Sequence, residues 1–92
     1  MQYQAEADAL KKSHWPACDA LAESLVQRGT PALDALEYAL KSRTHHVRSA
    51  SLRAIAKIDA SRACTAAQGC LKDRAYEVRE TAAQVLGIPT PS

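Results

Sequence analysis

The chain is 92 residues long, enough for one small domain that buries only roughly 60–65% of the surface its unfolded form exposes. It contains no Phe, one Trp and three Tyr, so its core has to be assembled from Ala, Leu, Val and Ile, which requires helices in close contact. A formal charge of +2 neither demands nor excludes nucleic acid, and no block of like charge is long enough to form a solvated tail.

No stretch approaches the ~18 apolar residues of a membrane span. The opening MQYQAEADALKK lacks a basic start followed by an apolar run, so a cytoplasmic protein is expected. Cys18, Cys64 and Cys70 sit among apolar neighbours, which suits reduced, buried thiols better than a disulfide framework.

The first predicted helix pair occupies residues 1–29. Pro16 is placed to open a helix running to about Gln27, where Arg28-Gly29 closes it. The second pair begins at Thr30-Pro31, a hydroxyl able to cap followed by a proline where a missing N–H is harmless. Ala32, Leu33, Ala35, Leu36, Ala39 and Leu40 come next at helical spacing, to near Ser42. After a short turn, Val47, Ala50, Ser51, Ala54, Ile55 and Ile58 form the next apolar stripe, and the brief link makes the two helices antiparallel. In the third pair Asp59 or Ser61 is the start signal, with Ala63, Cys64, Ala66, Ala67, Cys70 and Leu71 on one helix and Val78, Thr81, Ala82, Val85 and Leu86 on the other. Gly87 and Pro89 close it.

The last two pairs coincide at an offset of 31 residues, which places Leu40, Lys41, Arg43, Val47 and Arg48 over Leu71, Lys72, Arg74, Val78 and Arg79. The first pair is a worn copy at offset 30, where Leu10 and Lys11 match Leu40 and Lys41 but Ala17-Cys18 replaces Val-Arg. A period near 30 built from two helices marks an α-solenoid, whose units bury their apolar faces only by stacking. The expected fold is therefore all-α, a right-handed solenoid of about three antiparallel helix pairs in a single domain over 1–92. Residues 1–29 form a degenerate cap, 30–58 and 60–88 two full repeats, and 89–92 a tail.

The phrases LKDRAYEVRETAAQVLG (71–87) and LKSRTHHVRSASLRAIA (40–56) resemble the short bacterial HEAT-like repeats related to those of phycobilin lyases. The resemblance implies a structural ladder between repeats, carried by Arg48, Asp73 and Arg79. It says little of function, because sites are grafted onto folds.

The residues offer no enzyme. Adjacent His45 and His46 should point apart and so cannot share one metal, and Trp15-Pro16 interrupts the register between His14 and Cys18. No Cys stands at a recognisable spacing from a His, and no phosphate-cradling glycine loop or converging acid pair is present, so no catalytic residue, metal or cofactor is expected. Residues 41–57 carry Lys41, Arg43, Arg48, Arg53 and Lys57 with no acid among them. Yet the outward face of the second helices reads Asp19 and Glu23, then Ser49 and Arg53, then Glu80 and Gln84, which alternates in sign. Backbone tracking along nucleic acid needs a continuous basic stripe, so nucleic acid is not favoured. The preferred reading is a non-catalytic interaction or scaffold module, with no membrane partner. It would hold a protein partner on the inner surface through Asp19, Glu23, Ser49, Arg53, Glu80 and Gln84, with Lys57 at the rim. Two alternatives are a nucleic-acid-binding module using the 41–57 segment and a lyase-like helper cradling a ligand. Thinly covered end faces leave self-association, or a place in a longer solenoid, open.

Overall fold

The computed structural model describes residues 1–91, so of the expected tail only Ser92 lies outside the described residues. Among them are six α-helices and no strand: α1 (Gln4–Lys12), α2 (Ala17–Val26), α3 (Leu33–Ala39), α4 (His45–Ile58), α5 (Ala60–Cys70) and α6 (Tyr76–Leu86). The chain is an all-α solenoid of three helix pairs.

Each boundary has a local cause. Pro16, which has no N–H to donate, is the N-cap of α2. Thr30 does not cap a helix: Gly29, at φ 72°, turns the chain into a 3-10 segment, Thr30–Ala32, which feeds α3. That positive φ is one a glycine adopts without a Cβ clash. Asp59 alone separates α4 from α5, with its backbone N–H on the Ile55 carbonyl (2.8 Å) and its side chain accepting from the Arg62 N–H (3.1 Å). Of the two start signals in the sequence, Asp59 is the one used. Asp59→Ala should lower stability by about 1 kcal/mol, the usual cost of losing such a cap, readable in urea denaturation. At the far end Ile88 N–H reaches the Ala83 carbonyl and Gly87 N–H that of Gln84. This paired closure satisfies two carbonyls the helix would otherwise leave open.

The second helices α2, α4 and α6 pack side by side, and α1 packs on α3, whereas α3 and α5 barely touch. The second helices thus form one continuous layer, the inner one of the expected solenoid, and α1, α3 and α5 form the outer one. On the outer side Arg62 of α5 bridges the gap to Glu37 (2.5 Å) and Asp34 (3.0 Å) of α3. The main core joins Leu10, Cys18, Leu25, Leu33, Leu36, Val47 and Ile55, with alanines filling the closest approaches. A second cluster, Leu52 with Ala67 and Ala82, holds the last two pairs together.

Candidate interaction surfaces and the inter-repeat ladder

The repeated Val-Arg pairs divide their work. Val47 and Val78 are fully buried. Arg48 grips two turns at once: Nη1 donates to the Ser42 carbonyl in its own repeat (2.9 Å), while Nε and Nη2 donate to the two carboxylate oxygens of Asp73 in the next (both 2.8 Å). This forked geometry is the strongest form of Arg–carboxylate pairing. Asp73 Oδ1 also accepts from Ala75 N–H (2.9 Å). Burial pushes the Asp73 carboxyl up, but the Arg48 hydrogen bonds, the Ala75 N–H and the charges of Arg48 and Arg74 outweigh it and hold its pKa below the ordinary carboxylate value.

The same site in the preceding turn has lost both partners together. Cys18 stands where the arginine would be, and Ser42 where the aspartate would be. Ser42 keeps the local bond, accepting from Thr44 N–H (3.1 Å), and uses its hydroxyl proton on the Lys11 carbonyl (2.7 Å) to tie the first two pairs. A carboxylate there would have had no arginine at position 18 to fork onto it. Arg79, expected to join repeats, does not. Its Nη1 donates to the Asp73 carbonyl of its own turn (2.6 Å), its guanidinium lies over Tyr76, and its buried Nε has no hydrogen-bond partner.

On the inner side, Arg53 reaches Asp19 (3.3 Å) and Lys57 reaches Glu23 (3.0 Å), joining α4 to α2. The Lys57 hydrogen bond, together with its charge, lowers the pKa of Glu23. These four exposed residues wall a hollow of about 270 Å³ floored by Ala22, Ala50 and Ala54. Ser49, expected beside them on the open face, is fully buried and cannot meet a partner. Helix α6 covers it, and its hydroxyl lies 2.7 Å from that of Thr81 while accepting from Arg53 (2.6 Å). Because Thr81 gives its proton to the Glu77 carbonyl (2.9 Å), the bonds run in one direction from Arg53 through Ser49 and Thr81 to α6. Glu80 is the counterpart of Ser49 in the last repeat, with no further helix beyond it, and it stays half-buried; Gln84 is exposed.

The basic reading of 41–57 loses three of its five cations, because Arg48, Arg53 and Lys57 are each paired with a carboxylate. His45 and His46, expected to diverge, do not. Their rings are 4.1 Å apart between centroids, and both approach Glu77 of α6, with His46 Nδ1 2.9 Å and His45 Nε2 3.8 Å from Oε1. The first turn of α4 faces that of α6, so two neighbouring side chains bend toward one carboxylate. Their donor atoms lie within 4.8 Å of one another, the set among the described residues that could hold a divalent ion.

The three thiols are free. Cys18 is buried, while Cys64 and Cys70 are only half-buried. Burial first, then the nearby carboxylate (Asp19 for Cys18, Asp73 for Cys70), pushes two of them up in pKa, which works against a thiolate nucleophile. Alanines floor only the hollow between α2 and α4; the two others are lined mainly by charged and polar residues, with Tyr38 and Leu40 as their larger apolar members, a poor lining for a pigment or other apolar ligand. No described helix is long and apolar enough to cross a membrane.

A family model described as HEAT repeats matches residues 5–87. No curated protein and no solved structure matches the chain.

Proposed function

This chain belongs to the HEAT-repeat family, whose members serve in general as interaction and scaffold modules, and we propose that it holds a protein partner in the alanine-floored hollow between α2 and α4. The observation that supports this reading is the pairing of Asp19 with Arg53 and of Glu23 with Lys57 across that floor. Small side chains let an incoming backbone or side chain approach closely. The walls carry two acids and two bases, so they suit a segment with charges of both signs. Exposed pairs of this kind contribute only about 0–1 kcal/mol each to folding, and their members are free to exchange one another for a partner's groups. Glu80 and Gln84 extend the row along α6, and the buried Ser49 contributes by holding Arg53 and linking it to Thr81 of α6.

The test separates recognition from stability. Exchanging the charges as a set, Asp19→Lys and Glu23→Lys with Arg53→Glu and Lys57→Glu, keeps both pairs but inverts their pattern. Proteins cross-linked to the wild-type chain through this hollow should be lost, with the melting temperature shifted by no more than about 5 °C. Retention of the same partners would place recognition elsewhere.

A further inference from the structure

The cations of this chain fall into two populations. Arg48, Arg53, Lys57 and Arg62 are paired with carboxylates, and Arg28 and Arg79 lie over tyrosine rings. The other six, Lys11, Lys12, Lys41, Arg43, Lys72 and Arg74, make no ion pair among the described residues, although Lys11 also passes over the Tyr38 ring at 4.3 Å. All six flank the turns inside the helix pairs: Lys11 and Lys12 at the end of α1, Lys41 and Arg43 between α3 and α4, Lys72 and Arg74 between α5 and α6. A continuous basic stripe, absent from the inner face, thus runs along the turn edge.

Two hollows lie along this edge and share Lys41, Ser42 and Arg43 in their walls. One, of about 470 Å³, lies between the first and second turns and takes in Lys11, Lys12, Lys41 and Arg43. The other, of about 280 Å³, lies between the second and third and takes in Lys41, Arg43 and Arg74. The acids nearby leave the stripe positive. Asp73 is neutralised by Arg48 and Glu77 lines neither hollow, so Asp8, which accepts from Gln4, is the unpaired carboxylate of the two hollows. Like charges gathered on one edge repel one another and oppose folding, so the arrangement gains if a polyanion lies along it.

Each turn also presents an exposed ring just after its cations. Trp15 is 62% and Tyr76 56% exposed, and His45 occupies the equivalent exposed position between them. Large rings left in water beside unpaired cations suit bases stacked beside their phosphates, which neither an acidic peptide nor a lipid headgroup supplies. We propose that the turn edge binds single-stranded nucleic acid, its phosphates on the cations of successive turns and its bases against Trp15, His45 and Tyr76.

The test is fluorescence anisotropy of labelled oligo(dT) and oligo(U), about ten nucleotides long, with the whole chain. Affinity should fall with salt at a log–log slope of about −3 to −4, as expected for up to six phosphate contacts on a single strand. Replacing Lys41, Arg43, Lys72 and Arg74 by Gln should weaken binding at least about 10-fold and flatten that slope by about 3. Trp15→Ala should weaken it roughly 5-fold or more and leave the slope unchanged. Melting temperatures should hold in both variants, whose altered side chains are exposed. The charge exchange at Asp19, Glu23, Arg53 and Lys57 should leave oligonucleotide binding intact, which distinguishes this edge from the protein-binding hollow. The proposal is overturned by an absence of binding, by a glutamine variant that binds like wild type, or by a duplex bound as tightly as the single strand. Equal competition from polyglutamate or phosphatidylserine vesicles would also overturn it, since charge alone would then be recognised.

Discussion

Leu52→Ala is expected to destabilise the protein by about 3 kcal/mol, within the usual range for a buried leucine, and to lower its melting temperature by about 12–24 °C. Leu52 is fully buried and forms the second core cluster with Ala67 of α5 and Ala82 of α6. Both of those neighbours are alanines, which cannot swing into the space a truncated side chain leaves. Leu40, Leu71, Val85 and Leu86 pack around the cluster and could enter the space only by giving up their own contacts; otherwise α5 or α6 must move as a body, and α6 is held by the Ser49–Thr81 bond and the forked Asp73 contact. The hole therefore persists, and the cavity contribution adds to the lost transfer energy. Ile88, 45% exposed beyond the end of α6, supplies the comparison: Ile88→Ala should stay within about 0.5 kcal/mol. Thermal denaturation monitored by circular dichroism reads both. A small shift for Leu52→Ala would mean that the third pair does not depend on this contact.

Leu52 also marks what the sequence can and cannot convey. The stripe Val47, Ala50, Ser51, Ala54, Ile55 and Ile58 traces the face of α4 turned to the main core; the first five are buried and Ile58, at the end of the helix, is half-buried. An inner helix of a stack is covered on more than one side, though, and a single-face pattern does not register the second. Leu52 falls outside the stripe for that reason. Ser49 is misplaced in solvent for the same reason, since a serine off the stripe reads as exposed until α6 lies over it. The repeat itself is legible because its signals are local: Asp59 before α5, Gly87 after α6, and a 31-residue identity around each turn. Contacts at long sequence separation are less so. The charges on α2 and α4 read as an alternating face, and only the fold shows Asp19 meeting Arg53 and Glu23 meeting Lys57. The turn edge escapes a linear reading because its cations are spread two to a repeat, so no window of the chain contains the stripe.

Asp73→Ala is expected to cost about 3 kcal/mol, the lower end of the range for removing one member of a desolvated ion pair. The side chains of Arg48 and Asp73 are only 14% and 13% exposed. Without the carboxylate, Arg48 keeps its bond to the Ser42 carbonyl but has two N–H groups facing an empty acceptor site, and Ala75 loses its partner as well. Arg48→Ala leaves the converse, a nearly buried carboxylate held only by one backbone N–H. Because each single change strands the other partner, the double variant should be less destabilised than the sum of the two, by about 1 kcal/mol or more. Arg79→Ala is the internal control: it loses one carbonyl bond and a ring contact but no inter-repeat pair, so it should cost less than either. The pair also makes a signed prediction with pH. The folded Asp73 carboxyl ionises below its ordinary value of 3.8, so the unfolded chain takes up that proton first as the pH falls. The stabilisation is complete above the ordinary carboxylate value and disappears as pH drops through it toward the lower folded value. Wild-type stability should therefore decline more steeply in that window than that of Asp73→Asn, which has no charge to lose. Parallel slopes for the two proteins would show that the rung between the second and third repeats is not held by ionised Asp73.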